Sequence, residues 1–206
     1  MHTNSKLLFL KYARKYFRPG TKVLEIGPDA VPSTYQRAVG DTSIAWHTID
    51  LQKDPSLTYC ASSEYEFPLE SGTYDIVLSG QVIEHVRQIW VWIRELARVC
   101  KEGGLVVTVN PVSWPYHDSP GVPDCWRAFP EGMRTLYEYA SLRVRLSHWE
   151  SLEAPGYRRH IPGRSAEWQA PRLRFAYKVL GIFGFPVECA YDTITIGEKI
   201  TTGMKS

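Results

Sequence analysis

The sequence has no CxxC pair. Its four cysteines, Cys60, Cys100, Cys125 and Cys189, are scattered along the chain. That argues against a zinc site built on paired thiolates, and core thiols in a reducing, cytoplasmic setting are expected. No run of about 18 apolar residues occurs, so no membrane span is expected. Met1 to Arg18 mixes Lys and Arg through its apolar residues and lacks the continuous apolar stretch of a signal peptide. An excess of one charge is missing too: 24 basic against 22 acidic residues leave a formal +2, far below the basic excess of a dedicated duplex-DNA binder. There is no internal repeat and no low-complexity tract. What remains is 206 residues, 44% hydrophobic and 22% charged. That is the composition of one globular domain whose core needs no staples.

Periodicity gives the order of elements. Lys6 to Phe17 suits a short amphipathic helix ended by Pro19-Gly20. Thr21–Ile26, Ile44–Asp50, Tyr74–Leu78 and Leu105–Val109 are short apolar runs that read as buried strands. Gln81 to Lys101 reads as one long helix, apolar at 82, 86, 89, 93, 96 and 100 and stopped by Gly103-Gly104. Val187 to Ile196 leads into a last strand. Strands alternating with helices predict a doubly wound, mainly parallel sheet, which binds ligands beyond the carboxyl ends of its strands. After residue 110 the texture changes: Pro111 to Pro130 holds five prolines, and loops this long in compact domains are usually functional.

Four places carry chemistry. In Val23-Leu24-Glu25-Ile26-Gly27-Pro28-Asp29 an acid sits in an apolar strand and a glycine follows, able to let the backbone approach a ligand. Asp50, followed by Leu51, ends the next strand, where an acid can accept both hydroxyls of a ribose. Ser79-Gly80-Gln81 follows the third strand. The loop Asn110–Pro120 holds His117 and Asp118.

Together VLEIGPDA, HTID, FPLESGTYDIVLSGQVIEHV and ELARVCKEGGLVVTVNP, in that order, resemble the class I S-adenosylmethionine-dependent methyltransferases, closest to the methyltransferase type 11 group. The resemblance covers residues 20–112 and the strand near 187–200. It implies a Rossmann-like, seven-stranded, mainly parallel α/β sheet in a single domain spanning 1–206. The core would be 20–112 and 187–200, and 111–186 would supply a substrate-side cap. It implies S-adenosylmethionine as cofactor, held by Glu25, Gly27, Pro28, Asp29, Asp50, Leu51, Ser79, Gly80 and Gln81, with Ser63 or Glu64 on the adenine side. The sequence departs from the group in its first loop, where Gly27-Pro28-Asp29-Ala30 replaces the second and third glycines of a G-x-G-x-G turn.

The same fold places the loop after the fourth strand over the transferring methyl. His117 is therefore the expected general base and Asp118 its orienting partner; the alternative is a loop histidine bonded to backbone. Trp114, Tyr116, Trp126 and Arg127 are read as acceptor contacts, or else as a small satellite core. Cys125-Trp126-Arg127-Ala128-Phe129 resembles a segment of methyltransferases found near surface-polysaccharide biosynthesis, which favours a sugar or glycan acceptor. Arg158, Arg159, His160, Arg164, Arg172 and Arg174 form either a solvated basic face or a clamp for an acidic substrate. Glu84-His85 resembles the metal-binding pair of small-RNA methyltransferases, but the further histidine that group carries about four residues on is missing, where Arg87-Gln88-Ile89 stands, so no metal is expected. The expected activity is O-methylation of a sugar, glycan or other small polar metabolite. N- or C-methylation and a non-catalytic scaffold subunit are the alternatives; nucleic acid is not expected as a partner, and a homodimer is kept open.

Overall fold

The computed structural model describes residues 3–118, 121–152, 179, 182–183 and 190–200. Seven strands form one sheet in the order β3-β2-β1-β4-β5-β7-β6. Strands β1 (Lys22–Ile26), β2 (Ala45–Asp50), β3 (Tyr59–Cys60), β4 (Tyr74–Gly80) and β5 (Cys100–Ser113) run parallel to one another. β7 (Tyr191–Lys199) pairs antiparallel with both β5 and β6 (Leu142–Glu150). The expected doubly wound, seven-stranded, mainly parallel α/β sheet is what the chain forms.

Apolar runs of this kind need cover on both faces, and they receive it. One face packs Leu24, Val77 and Val106 against Trp92, Ile93 and Leu96 of α3 (Ile89–Val99) and Met133, Leu136 and Tyr137 of α4 (Pro130–Tyr139). The other packs Val23, Ile76, Leu78 and Val107 against Leu8, Phe9, Ala13 and Phe17 of the N-terminal helical segment and Tyr35 and Val39 of α2 (Thr34–Val39). The N-terminal segment is α-helical over Thr3–Leu8 (α1), then tightens through a π turn at Phe9–Ala13 and a 3₁₀ turn at Arg14–Tyr16.

Two expectations are corrected. The long helix predicted for Gln81–Lys101 is in two pieces: a 3₁₀ turn at Ile83–His85, then α3 from Ile89. Gln81 lies in the left-handed region at φ 60° and Val86 is extended, so the backbone is broken twice before α3 begins. The apolar period continues through the break because Ile83 and Val86 still face the same core as α3. The stretch 111–186, expected to be mostly cap, contains α4 and the edge strand β6, both part of the core layer. The arginine-rich stretch from Arg158 to Arg174 lies outside the described residues.

Candidate active site

A cavity of about 490 Å³ opens at the carboxyl ends of β1, β2 and β4. Its apolar wall is Ile26, Ile49, Ala61, Phe67, Val82 and Trp92; its polar wall includes Asp50, Glu64, Gln81 and His85. The β1–α2 turn forms part of the wall. Gly27 sits at φ 64°, donates its N–H to the Ile49 carbonyl at 3.0 Å, and faces Val82: a Cβ here would lie 2.6 Å from Val82 Cγ2. Only glycine suits a left-handed residue this close to a neighbour.

Of the residues expected to hold a cofactor, Gly27, Asp50, Leu51, Glu64 and Gln81 meet at this cavity. Asp50 is half-buried at the end of β2, where one carboxylate oxygen accepts the Gln52 N–H at 3.0 Å. Gln81 donates its amide nitrogen to Ser5 Oγ at 2.5 Å and Asp192 Oδ1 at 3.0 Å, while its buried Oε1 has no hydrogen-bond partner.

Six others are not on the cavity wall. Glu25 is 2% exposed and turns to the opposite side, accepting from Ser33 Oγ at 2.5 Å and Trp46 Nε1 at 2.8 Å. Burial pushes its carboxyl up to about 7 in spite of those two donors. Asp29 accepts from both the backbone and the hydroxyl of Thr34, at 2.9 and 2.6 Å, and so braces the start of α2. Partial burial alone would raise its pKa; the Thr34 bonds bring it below the usual value. Pro28 lies in the same turn without lining the cavity. Ser63 accepts from the Tyr65 N–H and bridges to Glu66, which leaves Glu64 as the member of that pair at the cavity. Ser79 is fully buried within β4. At Gly80 the Tyr35 ring occupies the place a Cβ would take.

The loop after β5 folds back over the 3₁₀ turn. Cys125 N–H donates to the Glu84 carbonyl at 2.6 Å, Trp126 Nε1 to the Val86 carbonyl at 2.8 Å, and His85 Nδ1 to the Pro123 carbonyl at 2.6 Å. This stapling sets the His85 and His117 rings edge to face, 5.1 Å between centroids. The partner of His117 is Asp124, not Asp118. The Asp124 side chain is excluded from solvent, accepts the His117 N–H at 2.9 Å, lies 3.2 Å from His117 Nδ1 and binds Arg127 Nη2 at 2.7 Å. Burial alone would raise its pKa, and the Arg127 bonds bring it below the ordinary value. Asp118 is exposed and interacts with Tyr116. Asp124 stands three residues before Arg127, an acid–base spacing legible in the sequence.

Two expected acceptor contacts are structural instead. Arg127 is committed to Asp124 and the Trp114 and Pro115 carbonyls. Trp126 is the staple to Val86 and meets Trp90 edge-on. Tyr116 is 69% exposed, and Trp114 is half-buried against His117.

The pattern of a family described as "Methyltransferase domain" matches residues 11–108. An uncharacterized methyltransferase of Mycobacteroides abscessus is 42% identical over 55 residues, a match spanning 27% of this chain and 21% of that protein. Among solved structures, an S-adenosylmethionine-dependent methyltransferase from Archaeoglobus fulgidus superposes with TM-score 0.60 at 15% identity, covering 95% of each chain. The Haemonchus contortus phosphoethanolamine N-methyltransferase 2 bound to S-adenosyl-L-methionine superposes with TM-score 0.59 at 15% identity, over 97% of this chain and 53% of that one.

Proposed function

We propose that this chain, whose residues 11–108 match the methyltransferase-domain family and which has the fold of the class I S-adenosylmethionine-dependent enzymes, methylates a hydroxyl on a sugar, glycan or other small polar metabolite. One observation carries the cofactor assignment: a cavity at the strand ends whose turn residue, Gly27, leaves no room for a side chain and whose β2 terminus presents Asp50. Both features answer the needs of a nucleoside with an amino-acid tail. Asp50 would hold the ribose hydroxyls, Ala61, Glu64 and Phe67 the adenine side, and the unpartnered Gln81 Oε1 the ammonium group.

When bound, the cofactor supplies an electrophilic methyl on a sulfonium. The protein's share is positioning, exclusion of water and, for a hydroxyl acceptor, proton removal. His117 is the proton acceptor in this reading. Its Nδ1 side is held by Asp124 and the Pro115 carbonyl, which leaves Nε2 as the basic nitrogen. Tyr116 and Trp114 offer aromatic faces to a sugar. The likeness of Cys125–Phe129 to segments of polysaccharide-associated methyltransferases supports the same acceptor class.

The test is calorimetry with S-adenosylhomocysteine, then a sugar-acceptor screen. Binding is expected, and Asp50→Ala should weaken it at least about tenfold, roughly 1.4 kcal/mol. His117→Ala should cut turnover while leaving cofactor affinity nearly intact. No heat at high ligand would replace the enzyme reading with that of a scaffold subunit.

A further inference from the structure

We propose that Glu84, His85 and His117 form a binding site for one divalent first-row transition-metal ion at the edge of the cofactor cavity. The three residues each bring one ligand atom into a group in which all such atoms lie within 4.8 Å of one another. Glu84 is 0% exposed, yet neither carboxylate oxygen accepts a hydrogen bond from another residue. A buried carboxylate without donors is costly unless it is neutralised or coordinates a cation. His85 has its Nε2 4.0 Å from Glu84 Oε1.

The two imidazoles are prepared in the same way. His85 Nδ1 donates to the Pro123 carbonyl at 2.6 Å. His117 Nδ1 faces two acceptors, the Pro115 carbonyl at 3.0 Å and Asp124 Oδ2 at 3.2 Å. A proton on Nδ1 leaves a lone pair on Nε2, and a backbone or carboxylate acceptor behind the ring is the usual partner of a metal-ligating histidine. Arg127, the nearby cation, is neutralised by Asp124. Both histidines are half-buried, so the cluster is reachable from solvent.

Two imidazoles and one carboxylate select Zn²⁺, Fe²⁺, Co²⁺ or Ni²⁺ over Mg²⁺ and Ca²⁺, which prefer all-oxygen ligands. Metal–ligand bonds of about 2.0–2.2 Å require the three atoms to draw together by roughly an ångström, within the reach of side-chain rotation. The third ligand absent from the segment after His85 is supplied instead by the loop after β5. With three protein ligands the ion keeps open positions. What it would hold there rests on the methyl-transfer reading: His85 lines the cavity, so an acceptor oxygen is the natural fourth ligand. An ion would also take the His117 lone pair assigned above to proton removal, so the two uses of His117 exclude each other.

The full chain, dialysed against a chelator, is titrated with Co²⁺ and Zn²⁺, with Mg²⁺ as control, and S-adenosylhomocysteine binding is measured on the same samples. The site predicts one equivalent of Co²⁺ with visible d–d absorption, displaced by Zn²⁺ and not by Mg²⁺. His117→Ala, in an accessible loop, and the near-isosteric Glu84→Gln should each weaken Co²⁺ binding at least tenfold, with an unchanged circular dichroism spectrum. No Co²⁺ binding at millimolar concentration, or a His117→Ala variant that binds as the parent does, overturns the proposal. Cofactor binding without Co²⁺ binding rejects the ion site and leaves the methyl-transfer reading. Co²⁺ binding without cofactor binding supports the ion site and rejects that reading.

Discussion

The parallel half of the sheet and the loop that follows β5 hold their functional groups by different means. In the first, backbone ladders position everything: Gly27 and Asp50 stand where they do because β1 and β2 end side by side, with Ile26 paired to Ile49. In the loop, side chains do that work. Trp126, His85 and Asp124 each reach a partner on another turn or across the loop, and those bonds rather than any ladder set His117 against His85, the histidine that lines the cavity. A site built on ladders is stiff and fails through sterics. A site built on single side-chain bonds fails one bond at a time.

The largest effect that would break this comparison is at Gly27. Valine there must adopt φ 64° with its Cβ 2.6 Å from Val82 Cγ2, so the turn has to move. Gly27→Val should abolish measurable cofactor binding, a loss beyond about 100-fold or roughly 2.7 kcal/mol. Wild-type affinity by calorimetry would show that the turn is not the cofactor's approach.

Next is a pH effect behind the same turn. The Glu25 carboxyl is raised by burial from 4.5 to about 7. Below about pH 4.5 it is neutral in both folded and unfolded chains, and its contribution is complete. As pH rises, the unfolded chain ionises first, so stability falls until about 7 and then levels. Glu84, raised by burial to about 8, extends the fall. The difference between the parent and Glu25→Gln in urea unfolding should therefore shrink with pH across that window, by an amount on the order of 2–3 kcal/mol. A constant difference from pH 5 to 8 would mean that Glu25 is ionised in the folded state.

The contrast between the halves is also why the sequence was readable in one and not the other. Apolar runs such as Val23–Ile26 and Ile76–Leu78 mark strands buried on both faces, and the order of those runs dictates which ends lie together; the family resemblance then pointed to Gly27, Asp50 and Gln81 at those ends. Glu25 misled because an acid in an apolar strand needs a partner, and the sequence does not say which face the partner is on. It proved to be Ser33 and Trp46, away from the cavity. The break at Gln81–Val86 was hidden because a 3₁₀ turn can keep the apolar period of the helix it precedes. In the loop, Asp118 is adjacent in sequence to His117, but Asp124 is adjacent in space. No sequence period connects the two.

Asp124 tests the loop's half of the comparison. Asp124→Ala leaves Arg127 and His117 without their shared carboxylate. A lost charged hydrogen bond of this kind is expected to cost about 2 kcal/mol, a fall in Tm on the order of 4–8 °C for a chain this size. Turnover should drop with it, while affinity for S-adenosylhomocysteine, set by the strand ends, stays within about twofold. A matching loss of cofactor affinity would show that the two halves are one coupled unit.

The smallest and sharpest case is Trp126→Phe. A smaller aromatic ring remains to meet Trp90 edge-on, but the 2.8 Å bond from Nε1 to the Val86 carbonyl is lost. One neutral hydrogen bond is worth about 1 kcal/mol, so global stability should fall only slightly. The local consequence is larger than that number suggests, because Val86 follows directly on the Glu84-His85 turn and this bond is one of three fastening the loop to it. Amide exchange should therefore quicken across residues 121–127 and at Val86, while protection in β1, β4 and β5 is unchanged. Exchange that accelerates equally in the strands would show that the loop is fastened by the sheet after all, and that side-chain bonds are not what sets His117 against His85.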